Sequence, residues 1–235
     1  MKRLPALVLA LLLITPLFSV HGEALSPRED FIGRIILSAQ GEFDAAGGRA
    51  LRAADASDRY VCKNFTTWLF RKHRDAFRMA EYPGVQLRIP DNLPREESKP
   101  YVYGAAWMDV KPEEGNPFFA AAEFRYDKAL SRDGNRSKAR EMLMQARRGD
   151  FFQMAADYYY GVGAHSLIFI ADYDAATDTV RWTDSNMKGK KVNGVRHGYI
   201  QFDAVKDIDW FVDAFCRKGY GATLYRLRDD IVYAP

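Results

Sequence analysis

Cysteine and histidine are scarce in this 235-residue chain, which holds two of the first and four of the second. No Cys-x-x-Cys and no His-x-x-x-His occurs, so the spacings that hold zinc are missing and no metal is expected. Gly161-x-Gly163 lacks the third glycine and the strand-to-helix setting of a dinucleotide loop, and no organic cofactor is expected either. Charge of one sign is also short, with 34 basic side chains against 31 acidic ones. Removal of a leader would take Lys2 and Arg3 with it and leave a near-neutral chain. Such a chain offers neither nucleic acid nor an anionic membrane an electrostatic handle. The apolar run from Ala6 to Phe18 is too short, and too interrupted by Pro5 and Pro16, for a permanent span. Internal repeats and low-complexity segments are absent.

What is present fits an exported globular domain. An apolar share of 48% and an aromatic share of 14% give enough material for one sizeable core. Lys2 and Arg3, the run from Ala6 to Phe18 and the small residues before Glu23 or Leu25 read as a signal peptide over 1–22, with cleavage after Gly22 or Ala24. No cysteine lies near the cleavage site, so a lipid anchor is not expected there. Residues 25–235 then form a single domain in a periplasm or outside the cell. Its oligomeric state is not legible.

Helices come first along the chain. Ser26-Pro27-Arg28-Glu29-Asp30 is a helix start with Ser26 as cap, and Phe31, Ile32, Ile35 and Ile36 recur at helical spacing. Residues 41–58 read as a short helix or loop. Residues 59–74 read as a helix capped by Asp58, with Phe65, Trp68 and Leu69 on one face and basic side chains in the last turn. Six prolines between 83 and 117 and turn signals at Asp91-Asn92 and Asp133-Gly134-Asn135 mark 81–135 as a large insertion. Within it, 101–107 reads as a strand and 118–130 as helical. A polar helix is expected over 137–148.

The texture then changes to short strands near 150–155, 166–172, 179–183 and 199–202, with Asn193-Gly194 as a hairpin turn. A helix over 205–217 and a strand over 222–227 close the chain. Helices followed by a strand meander imply an α+β fold with an antiparallel sheet.

Cys62 is the residue with the most distinctive setting. A thiol at a helix start has its thiolate favoured by unpaired backbone N–H groups and the helix dipole, and the same N–H groups can serve an oxyanion. His165 begins an apolar strand, where an imidazole is either packed or aimed at a cleft as a base. The next strand ends in Asp184-Ser185-Asn186, and a hairpin returns that end beside His165. Asp184 ranks first and Asn186 second as the group that orients the ring. His73 lies in a basic run and His197 in a polar hairpin, so both read as solvated. Cys216 reads as a buried residue on a late helix. In an exported chain, the rival to a catalytic thiol is a Cys62–Cys216 disulfide. Asn64-Phe65-Thr66 and Asn135-Arg136-Ser137 match the glycosylation pattern, the first by coincidence since it falls inside a helix.

The order of these segments resembles the NlpC-like and CHAP amidohydrolase/peptidase group of papain-like cysteine hydrolases. Tyr60-Val61-Cys62 resembles the nucleophile segment, Gly149-Asp150-Phe151-Phe152 the strand before the histidine, and Gly163-Ala164-His165-Ser166-Leu167 the histidine strand. Asp184-Ser185-Asn186 is similar to the acid-x-Asn ending of CHAP domains, with Asp in place of the usual Glu. The likeness covers about 59–74 and 149–186. The Asp-Cys-Ser-Gly-type surround of the nucleophile is absent, and the middle segment has no counterpart.

The resemblance implies a papain-like core in which the nucleophile helix packs on an antiparallel sheet. It implies an acyl-enzyme mechanism on a peptidoglycan peptide or another extracellular amide. Cys62 would be the nucleophile, His165 the base and Asp184 or Asn186 the orienter, with Tyr60 as a helper at the oxyanion or substrate. Two alternatives stay open: an extracellular acyltransferase or transamidase with the same triad, and a non-catalytic, disulfide-closed binding module.

Overall fold

A computed structural model describes residues 25–47, 51–52, 59–89, 110–155 and 165–235. The leader, the strand expected over 101–107 and the Asp58 cap lie outside the described residues. The fold is a mixed α+β arrangement around an antiparallel seven-stranded sheet.

Helix α1 spans Pro27–Ala46, and Ser26 caps it by accepting from the Glu29 N–H. It continues unbroken into the start of the segment expected to be a second short helix or loop and stops at Gly47, whose φ of 55° supplies the left-handed turn. Strand β1 is Leu51–Arg52, and helix α2 is Cys62–His73. Strand β2 (Phe77–Met79) pairs with β9 (Ile231–Tyr233), a strand without sequence warning, in a separate two-stranded sheet. Strand β3 (Phe118–Arg125) is followed by helix α3 (Arg132–Leu143). Then come β4 (Phe151–Ala155), β5 (His165–Phe169), β6 (Thr179–Val192) and β7 (Val195–Asp207). Helix α4 (Ile208–Phe215) and strand β8 (Gly221–Leu227) complete the order. The main sheet runs β1-β7-β6-β5-β4-β8-β3.

Side-chain alternation on the central strands builds two cores. Phe151, Ile168 and Tyr225 face one way and meet Phe31 of α1 and Phe65, Leu69 and Phe70 of α2. Phe152, Leu167, Phe169 and Leu224 face the other way and meet α3 and α4 through Leu143, Phe211 and Phe215. Burial on both faces explains why β5 is buried along its whole length.

The Gly149-Asp150 pair before β4 is an anchor. Gly149 has φ of 90°, and a Cβ there would lie 2.7 Å from Ile32. Asp150 is fully buried, and its carboxylate accepts from Arg226 at 2.8 and 2.7 Å and from the Arg147 N–H at 2.9 Å.

Two local expectations fail. The Ala-rich segment 118–125 is a strand, not a helix, because pairing with β8 across the sheet overrides local propensity. The turn expected at Asp133-Gly134-Asn135 is the first turn of α3, with Ser131 accepting from Gly134 N–H at 3.0 Å. Asn135 is fully buried and exchanges 2.8 Å hydrogen bonds with the Asp127 backbone, so its side chain is not open to a glycan. Asn193-Gly194 does turn the hairpin, with φ of 51° and 77°, both left-handed as a type I′ turn requires.

Candidate active site

Cys62 is the first residue of α2, and Val61 is its cap, extended at φ −97° and without a side-chain hydrogen bond. The helix therefore starts at the thiol rather than at Arg59. Among the described residues, no carboxylate caps this end to oppose a thiolate. The segment before it is pinned by the sheet. The Ser185 hydroxyl donates to the Tyr60 carbonyl at 2.7 Å. Gly198 of β7 passes so close that a Cβ would lie 2.5 Å from the same oxygen. The Tyr60 hydroxyl is turned to α1, where it donates to Glu42 at 3.4 Å and meets Arg59.

His165 opens β5, and its Nε2 lies 2.7 Å from Asp184 Oδ2 on β6. Both side chains are buried, at 4% and 2% exposure. Asp184 Oδ2 also accepts from Trp182 Nε1 at 3.0 Å, and Oδ1 accepts from Gln201 Nε2 at 3.0 Å. With Nε2 engaged, Nδ1 is the ring nitrogen left for the thiol, and it is buried without a hydrogen-bond partner. The Cys62 thiol and the His165 ring lie close enough for each to act on the other's protonation, and the backbone N–H groups of Lys63 and Ser166 also favour the thiolate. Helix α2 packs on β5 and β6, which brings thiol and imidazole together from residues far apart in sequence.

The protonation states follow from these contacts. Burial works against the imidazolium, but the Asp184 charge and hydrogen bond, with Cys62 adding to them, raise His165 to about 10. Burial also pushes the Cys62 thiol up. The facing His165 and the two N–H groups outweigh it and bring the thiol below its ordinary value. Thiolate and imidazolium therefore each favour the other.

Asn186 shares a face with Asp184 but lines a neighbouring cavity, and Asp184 is the group that holds the ring. His73 is not a solvated residue: its Nε2 lies 2.7 Å from Ser38 Oγ and ties α2 to α1. His197 is half-buried on β7. The two cysteines are not joined, and Cys216 ends α4 against the second core. Among the described residues, no group of three or more His, Cys, Asp or Glu is arranged to hold a metal ion.

No family model, curated protein or solved structure matches this chain.

Sequence reasoning missed Trp182, Gln201, Ser185 and Gly198. Trp182 was within reach, because it shares the Asp184 face by alternation. Gln201 was not. Counting back from the Asn193-Gly194 turn in uninterrupted pairing would set Asp203 opposite Asp184. The actual partner is Gln201, because the register shifts between Lys188 and Val192, on the way from the turn to the site, and it shifts again between Trp182 and Asp184. At the shift nearer the site, Asp203 takes a left-handed φ of 56° and is clamped by Arg181 at 2.7 and 2.6 Å.

Proposed function

We propose that this chain is an exported cysteine hydrolase that cleaves an amide bond, with a papain-like core and peptidoglycan as its substrate. The observation that carries the reading is the contact between Cys62 and a buried His165 that is itself held by Asp184. A thiolate at a helix start, an imidazolium facing it and a carboxylate behind the ring are what acyl transfer requires. Peptidoglycan and export rest on the resemblance to the NlpC-like and CHAP group and on the leader-like first residues.

In this mechanism the Cys62 thiolate attacks the amide carbonyl. Backbone N–H groups at the start of α2 stabilise the oxyanion. His165, protonated through its exchange with the thiol, gives its proton to the departing amine. Water then attacks the thioester with His165 as base, which releases the acid and restores the thiol. Asp184 holds the ring with Nδ1 toward the sulfur throughout.

Purified peptidoglycan incubated with wild-type protein and with Cys62→Ala provides the test, with soluble products resolved by mass spectrometry. The reading predicts new amine and carboxyl ends in stoichiometric amounts with wild type and none with Cys62→Ala. Equal product from both, or none from either, refutes it.

A further inference from the structure

On the side of the second core, a cavity of about 360 Å³ lies directly beside the His165–Asp184 pair. That volume falls in the range of small-molecule sites. Leu167, Trp182, Trp210 and Phe211 supply its apolar walls, and Val205 and Lys206 stand at its exposed rim. The Trp182 and Trp210 rings lie nearly parallel, 6.2 Å apart at 16°, and the edge of Phe211 meets both. The cavity touches His165 and Asp184 but not Cys62.

That asymmetry has a chemical meaning. In acyl transfer, the acyl half of the substrate becomes bonded to sulfur. The amine half leaves with a proton taken from the imidazolium, so it departs on the histidine side. A cavity that meets the imidazole and not the thiol is therefore placed for the amine half. Its charge narrows the choice. The Asp184 carboxylate is committed to His165, Trp182 and Gln201, which leaves Lys206 to set the field at the mouth. A lysine there repels a cationic side chain and draws a carboxylate.

We infer that this cavity receives the amine-side residue of the substrate: an apolar amino acid with a carboxylate within reach of Lys206. The inference rests on the hydrolase reading. The C–N bond of that residue breaks, its nitrogen takes the proton from His165, and the acyl half stays on Cys62 as a thioester until water replaces the sulfur. Amides whose amine side is basic, or lacks a side chain, are poor substrates on this view.

The released amino acid is itself a probe. L-phenylalanine and L-phenylalaninamide are titrated into the full chain, with tryptophan emission reporting binding and iodoacetamide reporting Cys62 access. Saturable quenching is expected, about fivefold tighter for the acid than for the amide, a gap that Lys206→Ala closes. Trp210→Ala weakens binding about tenfold. Val205→Glu, on the exposed rim, weakens the acid similarly without disturbing the core. Bound L-phenylalanine slows Cys62 alkylation. Absent quenching, or quenching unchanged in both Trp210→Ala and Val205→Glu, overturns the inference. So does saturable binding that leaves Cys62 alkylation unaffected, since the cavity would then stand apart from the reaction. Failure of the hydrolase reading itself registers separately, as ordinary thiol reactivity at Cys62 in the unliganded protein.

Discussion

A thiol is a weak nucleophile at neutral pH unless its thiolate is favoured, and burial alone disfavours it. At Cys62 the largest opposing influence is one imidazole, so each partner depends on the other. His165→Ala is expected to return the thiol toward or above its ordinary value, since burial then acts with only the two N–H groups against it. Asp184→Asn keeps the shape but removes the charge that raises His165, and the proposed amide hydrolysis is expected to fall by roughly two to four orders of magnitude. The same change has a pH signature in stability. A folded pKa of about 10 against an ordinary value near 6.5 means that His165 contributes fully below about pH 6.5. That contribution is lost as pH rises through 10. The melting temperatures of wild type and Asp184→Asn are therefore expected to differ most near pH 6 and to converge near pH 10, as thermal melts across that range would report.

Strand β6 joins the two halves of the site, because consecutive residues point to opposite faces. Asp184 reaches the second-core face and holds His165, while Ser185 reaches the other and holds the Tyr60 carbonyl. Ser185→Ala is expected to cost about 1 kcal/mol and to loosen the nucleophile segment. Gly198→Ala pushes a methyl group against Tyr60 and is expected to cost roughly 1–3 kcal/mol. Denaturant unfolding checks both, and slower Cys62 alkylation in the folded variants separates a local shift from mere destabilisation. The legible parts of this design were those with local signatures. The Ser26 cap, the Asn193-Gly194 turn, the thiol at a helix start and the Asp184 face all follow from residue type and period. The Gln201 contact was hidden because the pairing shifts between Lys188 and Val192, which displaces the register that counting from the turn would give. The strand at 118–125 was hidden because its alanines carry no strand signal and only β8 gives it a partner.

Across the whole molecule, the site depends on a sheet sandwiched between helices and held at a few buried points. Asp150 with Arg226 is one such point, on the strand next to the histidine strand. Arg226→Met leaves a buried carboxylate without its cation and is expected to destabilise the protein by about 3–5 kcal/mol, measurable by urea unfolding. Gly149→Ala combines an unfavourable φ with a contact against Ile32, so it is expected to loosen the packing of α1 on the sheet. Both changes lie away from the thiol and are expected to lower stability before they alter the reactivity of the folded fraction. The central claim concerns neither anchor but the pair they support. Its most direct test is the rate of Cys62 alkylation by iodoacetamide as a function of pH, compared with His165→Ala. The account predicts a half-rise below the usual thiol pKa of about 8.5, with the curve moving to higher pH when the imidazole is removed. A wild-type half-rise at the usual value, unchanged in His165→Ala, would contradict it.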